Sequence, residues 1–322
     1  MKIWVIWLGA FLLVATSLIA APFVRHAIGK KDADRHWNER PAVTLTDFGT
    51  VNHLQVRVLA GPKVEPDRGL LGEPGLSLRL DVDDTIWLYD LGLRGRNEQS
   101  ALRSNAPKLG LDLADTDAVF LSHRHRDHMG GLQAEQSGRL DLSDIGRGGL
   151  RVVSPPGALH MPELSIMEVH QPLKLGEGVA SLGPIRRALF IGTVDEQAMV
   201  LDVRGYGLVV VVGCGHQTVP KLAKRVEEVF SRPIKAIIGD LHFPVPEGRL
   251  RIAGIDAQRR LASGDGPFSP VNDDDVYEFA RWARKSGVEL FLVGHDTHDS
   301  VLAQTFIQLV EVGETVELSK TE

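Results

Sequence analysis

The chain has 322 residues, of which 43% are hydrophobic and 24% charged, and its formal net charge is −6. This composition excludes a disordered or collagen-like chain and fits one large folded domain or two modest ones. An acidic body lacks the basic face that nucleic-acid recognition normally needs, so we expect no nucleic-acid partner. The single cysteine, Cys214, excludes an intramolecular disulfide.

The N-terminal segment is strongly apolar, with no charged side chain in residues 3–24. We interpret residues 1–24 as a signal peptide or membrane anchor, residues 25–41 as a polar linker and residues 42–322 as one folded domain. Basic residues after the apolar run favour a cytoplasmic-facing body, whereas the Met-Lys start favours export. We expect the folded domain to be exported to the periplasm or anchored in the membrane. If the N-terminal segment is not cleaved, it is the part that contacts the membrane.

The first half of the domain reads mainly as strands separated by turn-forming segments. In chain order the predicted elements are strands Val43–Phe48, His53–Ala60, Leu76–Val82 and Thr85–Tyr89, a helix over Glu98–Leu109, strands Ala118–Leu121 and Leu150–Val153, and a hairpin formed by Ala198–Val203 and Leu208–Val212.

The second half alternates helix and strand, and together the two halves predict an α/β domain with two sheets packed together and helices outside. The predicted elements are helices Thr218–Phe230, Asn272–Ser286 and Ser300–Val310 and strands Ile234–Ile238, Glu289–Val293 and Thr315–Leu318. The polar, glycine-rich segment Gly248–Pro270 is predicted to be a flexible loop over a site.

Four residues that can bind metals follow the strand Ala118–Leu121 within six positions: His123, His125, Asp127 and His128. Because side chains alternate along an extended chain, His123 and His125 can point the same way and share one ion. Asp127 and His128 lie where a following turn could direct them at a second ion. Imidazole and carboxylate together suit zinc and related metals, so we prefer a metal site to a solvated, histidine-rich loop.

Three further strands end in the same way, with an apolar strand followed by glycine and then a ligand-type residue. These ends are Gly213-Cys214-Gly215-His216, Gly239-Asp240-Leu241-His242 and Gly294-His295-Asp296-Thr297-His298. One such end alone is more typical of a structural histidine. Three of them after the first motif indicate a coherent ligand set.

The residues Ser122–Gly131 resemble the signature of the metallo-β-lactamase superfamily. Weaker matches resemble its dihydropterin/ribofuranosylaminobenzene-phosphate synthase-like branch, and they lie at Gly75–Leu78, Leu88–Gly92, Glu196–Val200 and Gly213–His216. The resemblance runs from about Leu76 to the C-terminus. It implies a four-layer αβ/βα sandwich of two mixed β-sheets with outer helices.

The resemblance also implies two divalent metal ions, of which zinc is expected first and manganese or iron next. One ion would be held by His123, His125 and His216, the other by Asp127, His128 and His295, with Asp240 bridging the two and Asp90 steadying the metal loop from a neighbouring strand end.

The chain departs from the branch pattern in two places. Arg124 and Arg126 stand where the branch usually has glycine and tyrosine, and Gly239–His242 replaces its usual Gly-Gly-x-His. Asp240 therefore fits the bridging carboxylate of the wider superfamily better than the branch. The two arginines could bind an anionic group of a substrate or simply face solvent.

Three neighbouring residues receive different interpretations. His242 is open between metal ligand, proton donor and structural residue. Cys214 ends a very apolar strand, where a cysteine usually acts as a small buried hydrophobe. His298 replaces a glycine of the branch and is not expected to be a ligand.

The predicted activity is hydrolysis of a small, ester-type substrate by a metal-bridging hydroxide, with Asp127, Asp240 and His242 as catalytic residues. An anionic substrate, a phosphate ester or diester, is favoured by the arginines of the metal loop. The alternatives are a lactone or thioester hydrolase, a synthase of the same fold, a di-iron redox protein and a non-enzymatic exported metal-binding module. The redox alternative fits less well because His125 stands where a carboxylate is preferred.

Overall fold

Two stacked β-sheets form the centre of the protein, whose computed structural model describes residues 2–64, 67–94 and 100–319. The side chains of residues 2–6 and 8–15 lie outside that description. The strands are β1 (His53–Ala60), β2 (Ser77–Val82), β3 (Thr85–Tyr89), β4 (Ala118–Phe120), β5 (Arg151–Ser154), β6 (Ile166–Glu168), β7 (Leu173–Gly176), β8 (Val179–Ser181), β9 (Ile185–Leu189), β10 (Gly192–Glu196), β11 (Met199–Val203), β12 (Gly207–Val212), β13 (Ile234–Gly239), β14 (Arg251–Ile252), β15 (Ile255–Asp256), β16 (Glu289–Leu292), β17 (Ile307–Leu309) and β18 (Thr315–Ser319).

The helices lie outside the sheets. They are α1 (Lys2–Asn38), α2 (Ala101–Lys108), α3 (Leu132–Ser137), α4 (Val219–Phe230), α5 (Ala257–Ala262), α6 (Asp273–Ser286) and α7 (Asp299–Leu302), with a short 3₁₀ helix at Leu113–Asp115. Within the described residues, one sheet has the order β18-β1-β2-β3-β4-β5-β6 and the other β17-β16-β13-β12-β11-β8-β7. The pairs β9–β10 and β14–β15 form separate hairpins.

Three apolar clusters define the layers. Side chains such as Leu78 and Val211 fill the space between the two sheets. The outer face of the second sheet packs on α4 and α6, through residues such as Val226 and Phe279. The outer face of the first sheet packs on α2 and α3, where Leu102 is buried. The order helix, sheet, sheet, helix confirms the predicted αβ/βα sandwich.

The strand directions place the loops of the site. β12, β13 and β16 run parallel, and so do β3 and β4 in the other sheet. The carboxyl ends of parallel strands lie at the same edge of a sheet, so the loops that follow them meet there. At Gly239, with φ +122°, a Cβ would lie 1.9 Å from the Val212 carbonyl oxygen. Only glycine allows β12 and β13 to approach so closely at this end.

The best-defined helix boundaries agree with the sequence. The Asn272 side chain accepts hydrogen bonds from the Asp274 and Asp275 N–H groups, and the Asp275 side chain accepts one from the Asn272 N–H, forming a capping box. The helix α6 ends at Gly287, whose φ of +65° is left-handed. Both ends of this helix are as predicted.

Two predicted elements differ in the structure. The segment Val43–Phe48 is not a strand, because the Leu45 N–H donates to the Val229 carbonyl at the end of α4 and Phe48 packs on Phe230. The predicted helix Ser300–Val310 is a single turn, α7, followed by β17, which completes the edge of the second sheet beside β16. Tertiary pairing outweighs local propensity at both places. The strands β6–β10 were not predicted.

The helix α1 extends through residues 25–38, which were predicted to form part of a linker. Asp32 forms an ion pair with Arg186 of β9 at 2.7 Å, Ala33 is buried, and Trp37 packs against the outer apolar cluster of the second sheet. This part of α1 therefore belongs to the folded body.

Within the described residues, no helix is both long and apolar enough to cross a membrane. Most side chains of the apolar run lie outside the described residues. The signal peptide or membrane anchor at residues 1–24 remains a prediction.

We predict that deleting residues 1–40 destabilises the body, whereas deleting residues 1–15 does not. The longer deletion removes the packing of Ala33 and Trp37, which should lower the free energy of unfolding by about 1–3 kcal/mol, the range for one large apolar side chain. Urea unfolding followed by circular dichroism compares the two proteins. Equal midpoints would show that α1 contributes nothing to the fold and would restore the linker interpretation.

Candidate metal centre

The loops after β4, β12, β13 and β16 converge at one end of the sandwich, and they bring the predicted ligand side chains together. Two groups of three ligand atoms, each within 4.8 Å of one another, contain six of the seven predicted ligands. The groups are His123, His125 and His216, and Asp127, His128 and His295. The exception is Asp240.

In the first group, His123 and His125 point the same way, as their alternation along the chain predicts. His123 Nε2 lies 3.0 Å from His125 Nδ1. The Ser122 hydroxyl donates to Asp90 at 2.6 Å and lies 2.9 Å from His123 Nδ1. Because the Ser122 hydroxyl donates its proton to Asp90, its oxygen can only accept a hydrogen bond from His123 Nδ1. Nδ1 of His123 therefore carries the imidazole proton, and Nε2 has a free lone pair.

In the second group, His128 Nδ1 donates to Asp90 Oδ2 at 2.7 Å, which confirms the predicted role of Asp90. His128 Nε2 then faces His295 Nε2 at 3.2 Å, and His295 Nε2 lies 3.3 Å from Asp127 Oδ2. Ligands about 2.0–2.1 Å from a tetrahedral zinc ion are about 3.3–3.4 Å apart, so these spacings suit such an ion.

The electrostatics of the groups also fit a cation. Burial lowers the pKa values of His123 and His216 well below normal and that of His125 to about 4, so these imidazoles are neutral at neutral pH. Burial also lowers the pKa of His128, but the Asp90 carboxylate outweighs it and raises the value to about 9. The same negative charge that holds a proton on His128 favours a metal ion there.

Several imidazole nitrogens at the site lack a protein partner. Both nitrogens of His216, Nε2 of His242 and Nδ1 of His295 are buried without a hydrogen bond in the described part of the chain, and Nδ1 of His242 has only its contact with Asp296 Oδ2 at 3.3 Å. Leaving a buried polar group unpaired costs about 1–3 kcal/mol, and clusters of such groups need a ligand or ion to satisfy them. The donor set therefore fits divalent metal ions.

Glu196, at the end of β10, was quoted in the sequence motif but given no role. It is buried, and its carboxylate accepts hydrogen bonds from the backbone N–H groups of Cys214 at 3.0 Å, Gly215 at 2.9 Å and His216 at 2.8 Å. Burial raises the pKa of Glu196 to about 7. This side chain fixes the loop that carries His216.

Asp240 is placed differently from the bridging ligand implied by the resemblance. Its carboxylate accepts hydrogen bonds from the N–H groups of Leu241 and Asp296 and from the Thr297 hydroxyl. It therefore fixes the loop after β16. The neighbouring Asp296 forms a ligand group with Cys214 and His295, and its Oδ2 lies 3.6 Å from His295 Nε2.

His242 and the insertion Gly248–Pro270 cover the site. His242, at a left-handed φ of +54°, places Nδ1 3.3 Å from Asp296 Oδ2, and the Asp296 carboxylate raises its pKa despite burial. The insertion forms the hairpin β14–β15 and α5, and Arg249 and Gln258 both donate to Asp296 Oδ1. The loop thus lies over the site as predicted, but it is fastened there.

The two arginines of the metal loop differ from each other. Arg124 donates to the carbonyl oxygens of Glu135, Gln136 and Gly157, so it braces the protein. Both arginines are exposed and line the cleft beside the ligands, but no hydrogen bond to other described residues holds the Arg126 guanidinium. His298 caps α7 by accepting from the Ser300 N–H and lies outside the ligand groups found among the described residues.

We predict that Glu196→Gln weakens metal retention. We also expect it to lower the stability of the metal-free protein. An amide must turn its NH2 group toward backbone N–H donors, which costs about 1–3 kcal/mol. Glu227→Gln, the same change at an exposed position of α4, is the control, and His216→Ala should lose metal but keep the metal-free unfolding midpoint. Metal content after gel filtration and thermal unfolding measure both effects. A Glu196→Gln protein matching the control would refute this role.

No protein-family model matches the chain. Ribonuclease Z of Lactobacillus helveticus (strain DPC 4571) is 31% identical over 102 residues, so the chain spans 30% of the length of this curated relative, and the match covers 30% of the chain.

Solved structures cover far more of the chain. Tm1679, a metal-dependent hydrolase of the β-lactamase superfamily, aligns with 83% of this chain and 100% of its own at 22% identity and a TM-score of 0.55. The metallo-β-lactamase fold protein YhfI of Bacillus subtilis aligns with 83% of this chain and 99% of its own at 18% identity and a TM-score of 0.49. The chain has the metallo-β-lactamase fold.

Proposed function

We propose that the protein is a dinuclear metal-dependent hydrolase of ester-type substrates, and that phosphate esters or diesters are its preferred class. The observation that carries the proposal is the pair of ligand groups with their unpaired, buried imidazole nitrogens. Two divalent ions, of which zinc suits this donor set best, would lower the pKa of a coordinated water and neutralise the charge that develops on the substrate.

The cleft beside the ligands gives the substrate a place. It has a volume of about 900 Å³, and its lining includes His125, Asp127 and His216. Its lining also includes five apolar side chains, those of Leu189, Ile191, Leu250, Ile252 and Leu261. This arrangement suits a substrate with an apolar part attached to the group that reacts, since pockets typically combine apolar walls with a few convergent polar groups.

Two arginines of the lining favour an anionic group in this cleft. Arg126 and Arg249 both line the cleft, and Arg249 lies beside the ligand loop through its ion pair with Asp296 at 2.5 Å. Guanidinium groups match phosphate oxygens in bidentate geometry. We propose that Arg126 and Arg249 bind the substrate anion, a role that the sequence suggested for Arg124 and Arg126.

His242 is the proposed proton donor to the leaving oxygen. It lines the same cleft, and its Nδ1 faces the Asp296 carboxylate, which leaves Nε2 as the nitrogen that can donate. Asp296 raises the pKa of His242, so the imidazole holds a proton closer to neutral pH than its burial alone would allow.

A phosphodiester in RNA is the second candidate substrate. Its support is the similarity to ribonuclease Z, which covers 30% of the chain. The net charge of −6 disfavours a long polyanion, and the arginines of the cleft suffice for one phosphate. We also propose that the chain belongs to the dihydropterin/ribofuranosylaminobenzene-phosphate synthase-like branch. We further propose that its body is exported or anchored in the membrane.

We predict that an aryl phosphodiester is hydrolysed better than a neutral lactone or thioester of similar size. Arg126→Ala and Arg249→Ala should each raise KM about tenfold, because a hydrogen bond to a charged group contributes about 1.5–3 kcal/mol. The loss should fall more on KM than on kcat, as for an interaction made equally with substrate and transition state. Steady-state kinetics on a substrate panel measure this.

Matched variants control the experiment. Arg251→Ala removes an exposed arginine that pairs with Glu247 on the same insertion, and its KM should stay within twofold of the original. His242→Gln should slow alkyl diesters more than aryl diesters, which need less protonation on leaving. Faster hydrolysis of lactones or thioesters than of phosphodiesters, with KM unchanged in the arginine variants, would contradict the phosphate assignment. A preference for RNA would favour the second candidate.

A further inference from the structure

The thiol of Cys214 lies between the two ligand groups. Its Sγ is 3.0 Å from His128 Nε2 and 3.2 Å from Asp296 Oδ2. It is also within 4.8 Å of ligand nitrogens of His123 and His216 from the first group and of His295 from the second. The sulfur can therefore reach metal ions in both groups.

The surroundings of Cys214 are polar, which corrects the expectation of a small buried hydrophobe. The residue is 1% exposed, yet it belongs to none of the three apolar clusters of the described chain. Its backbone N–H is held by Glu196, so the loop fixes the thiol beside the histidines. A cysteine that served only to fill the core would be surrounded by apolar side chains.

Asp240, the residue that the resemblance predicts to bridge the two ions, does not lie in either ligand group. The Asp240 oxygens accept hydrogen bonds from the N–H groups of Leu241 and Asp296 and from Thr297, and Asp240 is in none of the ligand groups found among the described residues. Both nitrogens of His216 are buried and have no hydrogen-bond partner among the described residues, and the ligand atom of His216 lies within 4.8 Å of the Cys214 sulfur. This independently indicates that a cation is expected here.

We propose that Cys214 Sγ is a metal ligand shared by both ions, in the position that the resemblance gives to Asp240. The proposal rests on the proposed dinuclear centre. Thiolate is a strong ligand for zinc and cobalt, and coordination replaces the thiol proton with the metal. Asp240 then acts as a positioning residue for the loop that carries His295 and Asp296.

Cobalt(II) absorption spectroscopy tests this without any substrate. The chain has one cysteine, so thiolate-to-cobalt charge-transfer absorption in the near ultraviolet can come only from Cys214 when thiol reductants are absent. We expect this band to grow with the first cobalt equivalent, and to change again with the second. In the zinc protein, X-ray absorption should show a sulfur shell at about 2.3 Å.

Two variants complete the experiment. Cys214→Ser should abolish the charge-transfer band but keep the visible bands of bound cobalt. It should also weaken cobalt binding by at least about tenfold, because losing even a residue that only hydrogen-bonds to a metal ligand costs about that much. His298→Ala, in the loop after β16 but outside the ligand groups, should leave band and affinity unchanged.

The outcomes separate this inference from the proposed function. If two cobalt ions bind and no charge-transfer band appears, Cys214 is not a ligand, and the dinuclear centre stands without it. A band that is complete after one equivalent, and unaffected by the second, would show a ligand of one ion and overturn the sharing. If no cobalt binds, the dinuclear centre and the inference both fail.

Discussion

Burying a cluster of imidazoles and carboxylates in the loops at one end of two apolar sheets is the constraint on which the rest of the structure depends. The side chains of His123, His128, Asp240 and His295 are inaccessible to solvent, and His216 is nearly so. Buried polar groups are tolerated only when they are paired or bind an ion. Several imidazole nitrogens have no partner in the described part of the chain, so the arrangement favours a bound metal ion.

Three buried carboxylates fix the ligand loops, one for each. Asp90 binds the loop of His123 and His128, Glu196 binds the loop of His216, and Asp240 binds the loop of His295. Each comes from the end of a strand and accepts hydrogen bonds from backbone N–H groups. Such outer partners set the orientation of metal ligands and strengthen their binding. The geometry of the centre therefore depends on carboxylates that need not touch the metal.

The position of each ligand loop could be predicted from the sequence, because an apolar strand followed closely by residues of metal-binding types is a local pattern. Its consequence, convergence at one sheet edge, follows from parallel pairing. The polarity around Cys214 and the hydrogen bonds of Asp240 were not predictable, because they depend on which loops pack together. The same holds for Arg249, whose partner Asp296 is 47 residues away in the chain.

The helix α1 and the β9–β10 hairpin show a different limit. The apolar run of α1 dominated the interpretation of the N-terminus, and the polar residues after it looked like a linker. Their amphipathic role appears only with the partner surface, where Arg186 binds both Asp32 and Asp195. Local charge alone does not reveal whether a polar segment packs on the body.

Metal content measured together with stability tests the central claim most directly. The account predicts about two transition-metal ions per chain in metal-replete protein. It also predicts a fall in the unfolding temperature when chelators remove the ions, since binding to the folded state alone stabilises it. Asp127→Ala should retain fewer ions and respond less to chelation. Protein that contained no metal ions after incubation with excess metal would contradict the account. An unfolding temperature that did not change on addition of chelators would also contradict it.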